Sequence, residues 1–172
     1  CSVKKRCMML LDLKKVFLNE GEKTDIAYTL DLSKITIDGI APMPHPVKIT
    51  AVAENRAGVV KLSVAVCFTY VRPCDRCFAD TAREMSYSFA HILVASLSGD
   101  SSDDYVEAPD FQLDLDELVT ADVLLELPSK YLCKDSCKGL CPNCGADLNR
   151  TSCDCSKHNT DPRLEVLKEL IN

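Results

Sequence analysis

Eleven cysteines in a 172-residue chain carry its chemistry, and their spacing indicates which chemistry. Cys141-Pro142-Asn143-Cys144-Gly145 sets two thiols two residues apart around a tight turn, where proline fixes one backbone dihedral and glycine lets the chain fold back. Cys153 and Cys155 follow after a short loop. Zinc takes four tetrahedral thiolate or imidazole ligands, so Cys-x2-Cys-x8-Cys-x-Cys is a complete set. Two further pairs, Cys74/Cys77 and Cys133/Cys137, are each half a site, and together they make a second four-thiolate zinc site. A rival arrangement stays open at this level: Cys133 and Cys137 join the C-terminal cluster and leave Cys74 and Cys77 free. The cofactor expected is structural zinc, one or two ions per chain.

Four protein thiolates saturate zinc and leave no position for water or substrate, which argues against metal-dependent hydrolysis. A free Cys74/Cys77 pair would support a second reading, a thiol-redox or zinc-responsive protein in which Arg72 and Arg76 favour the thiolate. Disulfide oxidoreductases place that motif where a strand meets a helix N-terminus, whereas here it falls between two expected strands. Cys67 reads as a small packed side chain, and Cys1 and Cys7 as incidental. The three histidines form no catalytic set: His45 sits in a proline-rich connector, His91 in a strand, and His158 just past the last cysteines. No Gly-rich phosphate loop, nucleophile elbow or carboxylate pair is present, so no enzyme and no small-molecule substrate are expected.

The composition sets the frame for these sites. Apolar residues make up 47% and charged ones 27%, which is globular rather than disordered. No apolar run approaches the ~18 residues of a membrane span, and nothing reads as a signal peptide. An odd number of closely spaced thiols fits a reducing compartment, so the expected location is cytoplasmic, with no membrane partner. A lipid-modified Cys1 is the contrary reading, and an oxidising surface location weighs against it. Residues 1–8 are expected to be disordered or to precede the natural start. The net charge is -6, unevenly placed. From Glu84 to Ser129 there are eleven acids and no lysine or arginine, while the remainder of the chain is net basic. The acidic stretch suits a solvated face or a basic partner and excludes phosphate by sign. Any RNA contact falls to basic residues such as Lys14, Lys15, Arg72, Arg76, Lys130, Lys134, Lys138 and Arg150.

The positioning elements read as α+β, an antiparallel sheet with short flanking helices and a cysteine-rich zinc-binding C-terminal element. A helix is expected over 10–18 and strands over 23–32, 47–54, 59–70 and 85–97, with a hairpin turn at 55–58. Val60, Leu62, Val64, Val66 and Phe68 form one face of the clearest strand. A helix follows the acidic loop, with Asp114 and Glu117 as its capping box, Leu118, Ala121 and Leu125 lining one stripe, and Pro128 closing it. Asp161-Pro162 opens a last helix with Leu164, Leu167 and Ile171 buried. The domains are expected to be a core over 1–130 and a zinc-binding element with its final helix over 131–172, packed on that core.

At this point the chain resembles the YceD family, the large ribosomal RNA subunit accumulation proteins. The resemblance rests on an opening around Met9-Leu-Leu-Asp-Leu, on Cys74-Asp-Arg-Cys77, on the block from Leu127 through Cys133, Cys137, Cys141 and Cys144 to Asn149, and on Asp161-Pro-Arg-Leu. It implies a non-enzymatic factor of the bacterial cytoplasm needed for large-subunit ribosomal RNA to accumulate. The implied partner is a ribosomal RNA precursor or a basic large-subunit ribosomal protein.

Overall fold

Strict alternation of apolar and polar residues needs a sheet with one buried face, and this chain builds one. The computed structural model describes residues 9–96 and 105–155. Its seven strands are β1 (Leu10–Asp12), β2 (Lys23–Leu30), β3 (Val47–Arg56), β4 (Val59–Pro73), β5 (Asp80–Val94), β6 (Tyr105–Glu107) and β7 (Gln112–Asp114). The helices are α1 (Lys14–Leu18) and α2 (Leu115–Glu126). The protein is thus mostly sheet with few helices.

The chain divides into two compact units. The first holds the chain up to Val71 together with Ala82–Pro128, and the second holds Arg72–Thr81 and the chain from Ser129 on. In the first unit the main sheet has the order β2-β3-β4-β5-β6, and β1 pairs with β7 in a two-stranded sheet. Val60, Leu62, Val64, Val66, Phe68 and Tyr70 of β4 are buried, as are Val47, Ile49, Ala51 and Ala53 of β3. The turn between them runs through Ala57 (φ 52) and Gly58 (φ 80), the pair of left-handed residues that suits the right-handed twist of a hairpin. Asn55 accepts from the Gly58 N–H and donates to the Val16 carbonyl at 2.8 Å, joining α1 to the hairpin.

The expected antiparallel sheet needs correction, because β6 joins β5 in parallel, with Leu93 opposite Val106, and the sheet is mixed. A three-residue edge strand is too short to show a period, so nothing in its sequence marks the direction. The expected helix over 10–18 starts late for a similar reason. Leu10–Asp12 is held as a strand by β7, a partner about a hundred residues away, and only Lys14–Leu18 is helical.

The N-cap of α2 is as expected: Asp114 accepts from the Glu117 N–H at 3.0 Å. Its core-facing side is a different one from the stripe of Leu118, Ala121 and Leu125. Leu115, Val119 and Val123 face the core, while Ala121 and Leu125 are exposed. His91 of β5 is half-buried and shares a 2.8 Å hydrogen bond with Asp122 of α2, tying the helix to the sheet. The expected last helix and residues 1–8 lie outside the described residues, and so do His158, Cys1 and Cys7. Among the described residues, no helix is long and apolar enough to cross a membrane.

Candidate metal centres

A Cys-x2-Cys motif can hold a metal only if its turn brings both sulfurs to one side, and two such turns form in the second unit by the same hydrogen bonds. In the loop after β4, the Cys74 carbonyl accepts from the Phe78 N–H at 2.9 Å, and the Cys74 N–H donates to the Ala79 carbonyl at 2.9 Å. In the other turn the Cys141 carbonyl accepts from the Gly145 N–H at 2.9 Å, and the Cys141 N–H donates to the Ala146 carbonyl at 2.8 Å. Each turn passes through a left-handed residue at the same offset, Phe78 (φ 56) and Gly145 (φ 71). Gly145 announces its turn in the sequence. Phe78 does the same job without the signature, at a conformation unusual for a bulky side chain.

The structure gathers the eight cysteines into two groups, Cys74/Cys77/Cys133/Cys137 and Cys141/Cys144/Cys153/Cys155. Within each group all four sulfurs lie within 4.8 Å of one another. The Sγ atoms of Cys74 and Cys137 are 3.8 Å apart, and those of Cys77 and Cys133 are 3.7 Å apart. A tetrahedron with metal–sulfur bonds of about 2.3 Å has edges of about 3.8 Å, whereas a disulfide needs about 2.05 Å. The residues present therefore fit four-thiolate coordination, and both groups could hold a metal ion. The arrangement in which Cys133 and Cys137 join the C-terminal cluster is not the one found. Cys67 is a member of neither group, and it is exposed rather than packed, 3.4 Å from the Ser86 hydroxyl. His45 is exposed, and neither it nor His91 joins either group.

The first group is the more enclosed: Cys74 and Cys137 are buried, whereas Cys144 of the second is exposed. Burial alone opposes ionisation of Cys74, but backbone N–H groups of Cys133, Arg76 and Cys77 outweigh it and hold its thiol near a pKa of about 6. Backbone N–H groups of Cys144 and Asn143 bring Cys141 to about 6 as well. Burial, with hydrogen bonds from Cys137 and Cys77, pushes Cys133 up to about 12. The hydrogen bond with Cys144 and then burial push Cys155 up to about 12. Each group therefore places donors around at least one sulfur that favours the thiolate and keeps protons on others, which a metal would displace.

The supporting residues were not legible as such in the sequence. Asp75 accepts from Arg72 at 3.0 Å and from the Tyr131 N–H at 2.6 Å, and its own N–H donates to the Tyr131 carbonyl. Those bonds join the loop that carries Cys74 to the segment that carries Cys133. Arg76 donates to the Cys137 carbonyl, and Asn149 donates to the Cys137 sulfur at 3.5 Å. Arg72 and Arg76, two of the residues considered for RNA contact, are thus engaged within their own unit.

Gly139 closes the same crossing. It sits at φ +76, and a Cβ there would lie 2.9 Å from the Arg76 carbonyl oxygen, a backbone atom. Gly139→Ala is expected to destabilise the second unit by about 2 kcal/mol or more, from the left-handed penalty plus the displaced carbonyl. Chemical denaturation followed at Tyr131 checks this, and an unchanged midpoint would remove the close approach from the account.

The described structure is that of a small, mostly β protein bearing two closed, four-cysteine clusters. The family follows from the sequence profile of the large ribosomal RNA subunit accumulation protein YceD, which matches residues 62–171, a span that contains all eight clustered cysteines. The chain belongs to the YceD family. It is similar to the uncharacterized protein YlbN of Bacillus subtilis (strain 168), at 25% identity over 146 residues, covering 83% of this chain and 85% of that one. The uncharacterized protein Rv2926c of Mycobacterium tuberculosis (strain ATCC 25618 / H37Rv) is 28% identical over 147 residues, covering 83% and 68%. The chloroplastic large ribosomal RNA subunit accumulation protein YCED homolog 1 of Zea mays is 25% identical over 166 residues, covering 77% and 57%. No solved structure matches the chain.

Proposed function

We propose that this protein is a non-enzymatic, cytoplasmic factor for the accumulation of large-subunit ribosomal RNA, with structural zinc in both cysteine clusters. The family match carries the reading, because it spans both clusters and two chloroplastic relatives bear the accumulation function in their names. Zinc is the ion assigned because a closed set of four thiolates suits a borderline-soft metal without redox chemistry or geometric preference. Bound there, zinc would cross-link four chain positions per cluster and leave no vacant coordination site. The residues of the clusters would then position a surface rather than transform a substrate. The partner is a ribosomal RNA precursor or a basic large-subunit ribosomal protein. The thiol-redox alternative is the weaker one, since Cys74 and Cys77 share their site with Cys133 and Cys137.

Deleting the gene in its own host tests the proposal. The ratio of mature large-subunit to small-subunit ribosomal RNA is expected to fall, and the wild-type gene is expected to restore it. An unchanged ratio under conditions of rapid growth would contradict the proposal.

A further inference from the structure

Helix α2 carries two apolar stripes where a surface helix usually carries one. Leu115, Val119 and Val123 are buried. Leu118, Ala121 and Leu125, at i, i+3 and i+7, run along another side. There Leu125 is 86% exposed and neighbouring Leu124 is 39% exposed. Such a sequence belongs to a helix covered on both sides, yet Ala121 and Leu125 are exposed and Leu118 is only half-buried.

That outer side is concave. One hollow of about 570 Å³ is floored by Leu10, Val106, Leu113, Leu118 and Ala121. A second of about 520 Å³ is floored by Leu30, Leu32, Ala121 and Leu124. Asp114, Glu117 and Ala121 line both, so the small side chain of Ala121 forms a saddle between two apolar hollows. The rim carries further acids, Glu107 and Asp110 at the first hollow and Asp116 at the second, beside the neutral Gln112 and Thr120. No lysine or arginine lines either.

Apolar hollows select apolar side chains, and a carboxylate rim selects cations. Polyphosphate chains and anionic lipid surfaces carry the wrong sign. We infer that the outer face of α2 is a docking surface for a lysine- and arginine-rich amphipathic segment of a protein partner. Its large apolar side chains would seat on either side of Ala121 and its cations would lie over Asp110, Asp114 and Glu117, a helix-in-groove mode of recognition. The surface stands on this geometry. Its assignment to a ribosomal partner rests on the ribosome-related reading above, and decides between the two partner classes named there in favour of protein.

The test uses the full chain and a fluorescent amphipathic peptide of leucine and lysine, beside a peptide of equal charge with every leucine replaced by serine. At about 0.15 M salt, where screening weakens purely ionic contacts, the leucine peptide is expected to bind at least about tenfold tighter than the serine peptide. Ala121→Lys fills the saddle and reverses its sign, and is expected to weaken binding more than about tenfold with the thermal midpoint unchanged. Leu125→Ser is expected to weaken it by a smaller factor. Equal binding of the two peptides, or full binding by Ala121→Lys, would overturn the inference. So would a wild-type dimer that Ala121→Lys converts to monomer, or a single-stranded RNA whose binding that substitution abolishes, since either gives the face another occupant. Co-sedimentation with ribosomal particles separates the two claims. If Ala121→Lys co-sediments like wild type, the docking surface loses its ribosomal role while the functional reading stands. If wild type does not co-sediment, the functional reading fails and the peptide comparison still decides the surface.

Discussion

Stripping metal from the purified protein with a chelator is expected to melt residues 74–79 and 129–155 and to leave the β2–β5 sheet folded. The second unit has little else to hold it. Among its described residues, the buried apolar ones are Cys74, Cys137, Cys141 and a single large side chain, Tyr131. Burying one such side chain contributes about 3 kcal/mol at most, while fixing the backbone of each residue costs about 1 kcal/mol or more. Structural zinc contributes on the order of 10–16 kcal/mol in small modules, enough to decide whether this unit is ordered. Amide hydrogen exchange before and after chelation checks the outcome, and amides of 129–155 that stay protected without metal would contradict it. The pH dependence has a definite sign. Ligand thiols must lose their protons, and with Cys133 and Cys155 pushed up to about 12, metal uptake at neutral pH releases protons. Acidification therefore favours release, most steeply below about pH 6, where Cys74 and Cys141 also take up protons.

Asn55→Ala is expected to destabilise the sheet unit by about 3 kcal/mol. Asn55 is the one buried polar side chain among the described residues, at 3% exposure. Its amide donates to the Val16 carbonyl, and its side-chain oxygen accepts from the Gly58 N–H at 3.1 Å. Alanine leaves the end of α1 and the β3–β4 turn each without a partner, and an orphaned buried group costs about 1–3 kcal/mol. The backbone of Asn55 also bonds Gly21 and Glu22, so the loosened segment extends to the start of β2. Urea unfolding followed by far-UV circular dichroism gives the change, and a loss below about 1 kcal/mol would show that water replaces the amide at no cost.

How far the sequence reached depends on the range of the forces involved. The alternation in β4 is local and dense, and the strand runs as expected from Val59, ending three residues later than read, at Pro73. The spacing Cys141-x2-Cys144-x8-Cys153-x-Cys155 is also local, and these four sulfurs are together in the structure. Which pair completes Cys74/Cys77 is a different kind of question. Cys77 and Cys133 are 56 positions apart, and the bonds that bring them together, through Asp75 and Tyr131, have no sequence signature. The strand at Leu10–Asp12 and the parallel seat of β6 were illegible for the same reason, being decided by a distant partner. The stripe of Leu118, Ala121 and Leu125 does not identify the core-facing side of α2, because the helix is apolar on two sides and periodicity cannot say which side meets the sheet. Only Leu115, Val119 and Val123, taken with the exposed Leu125, settle it.

Native mass spectrometry of freshly reduced protein, with elemental analysis of the bound metal, tests the two-zinc account most directly. Two zinc ions per folded chain are predicted, with Cys77→Ser lowering the count at one cluster and Cys144→Ser at the other. A folded chain that carries no zinc, or one whose single zinc survives both substitutions, would contradict it.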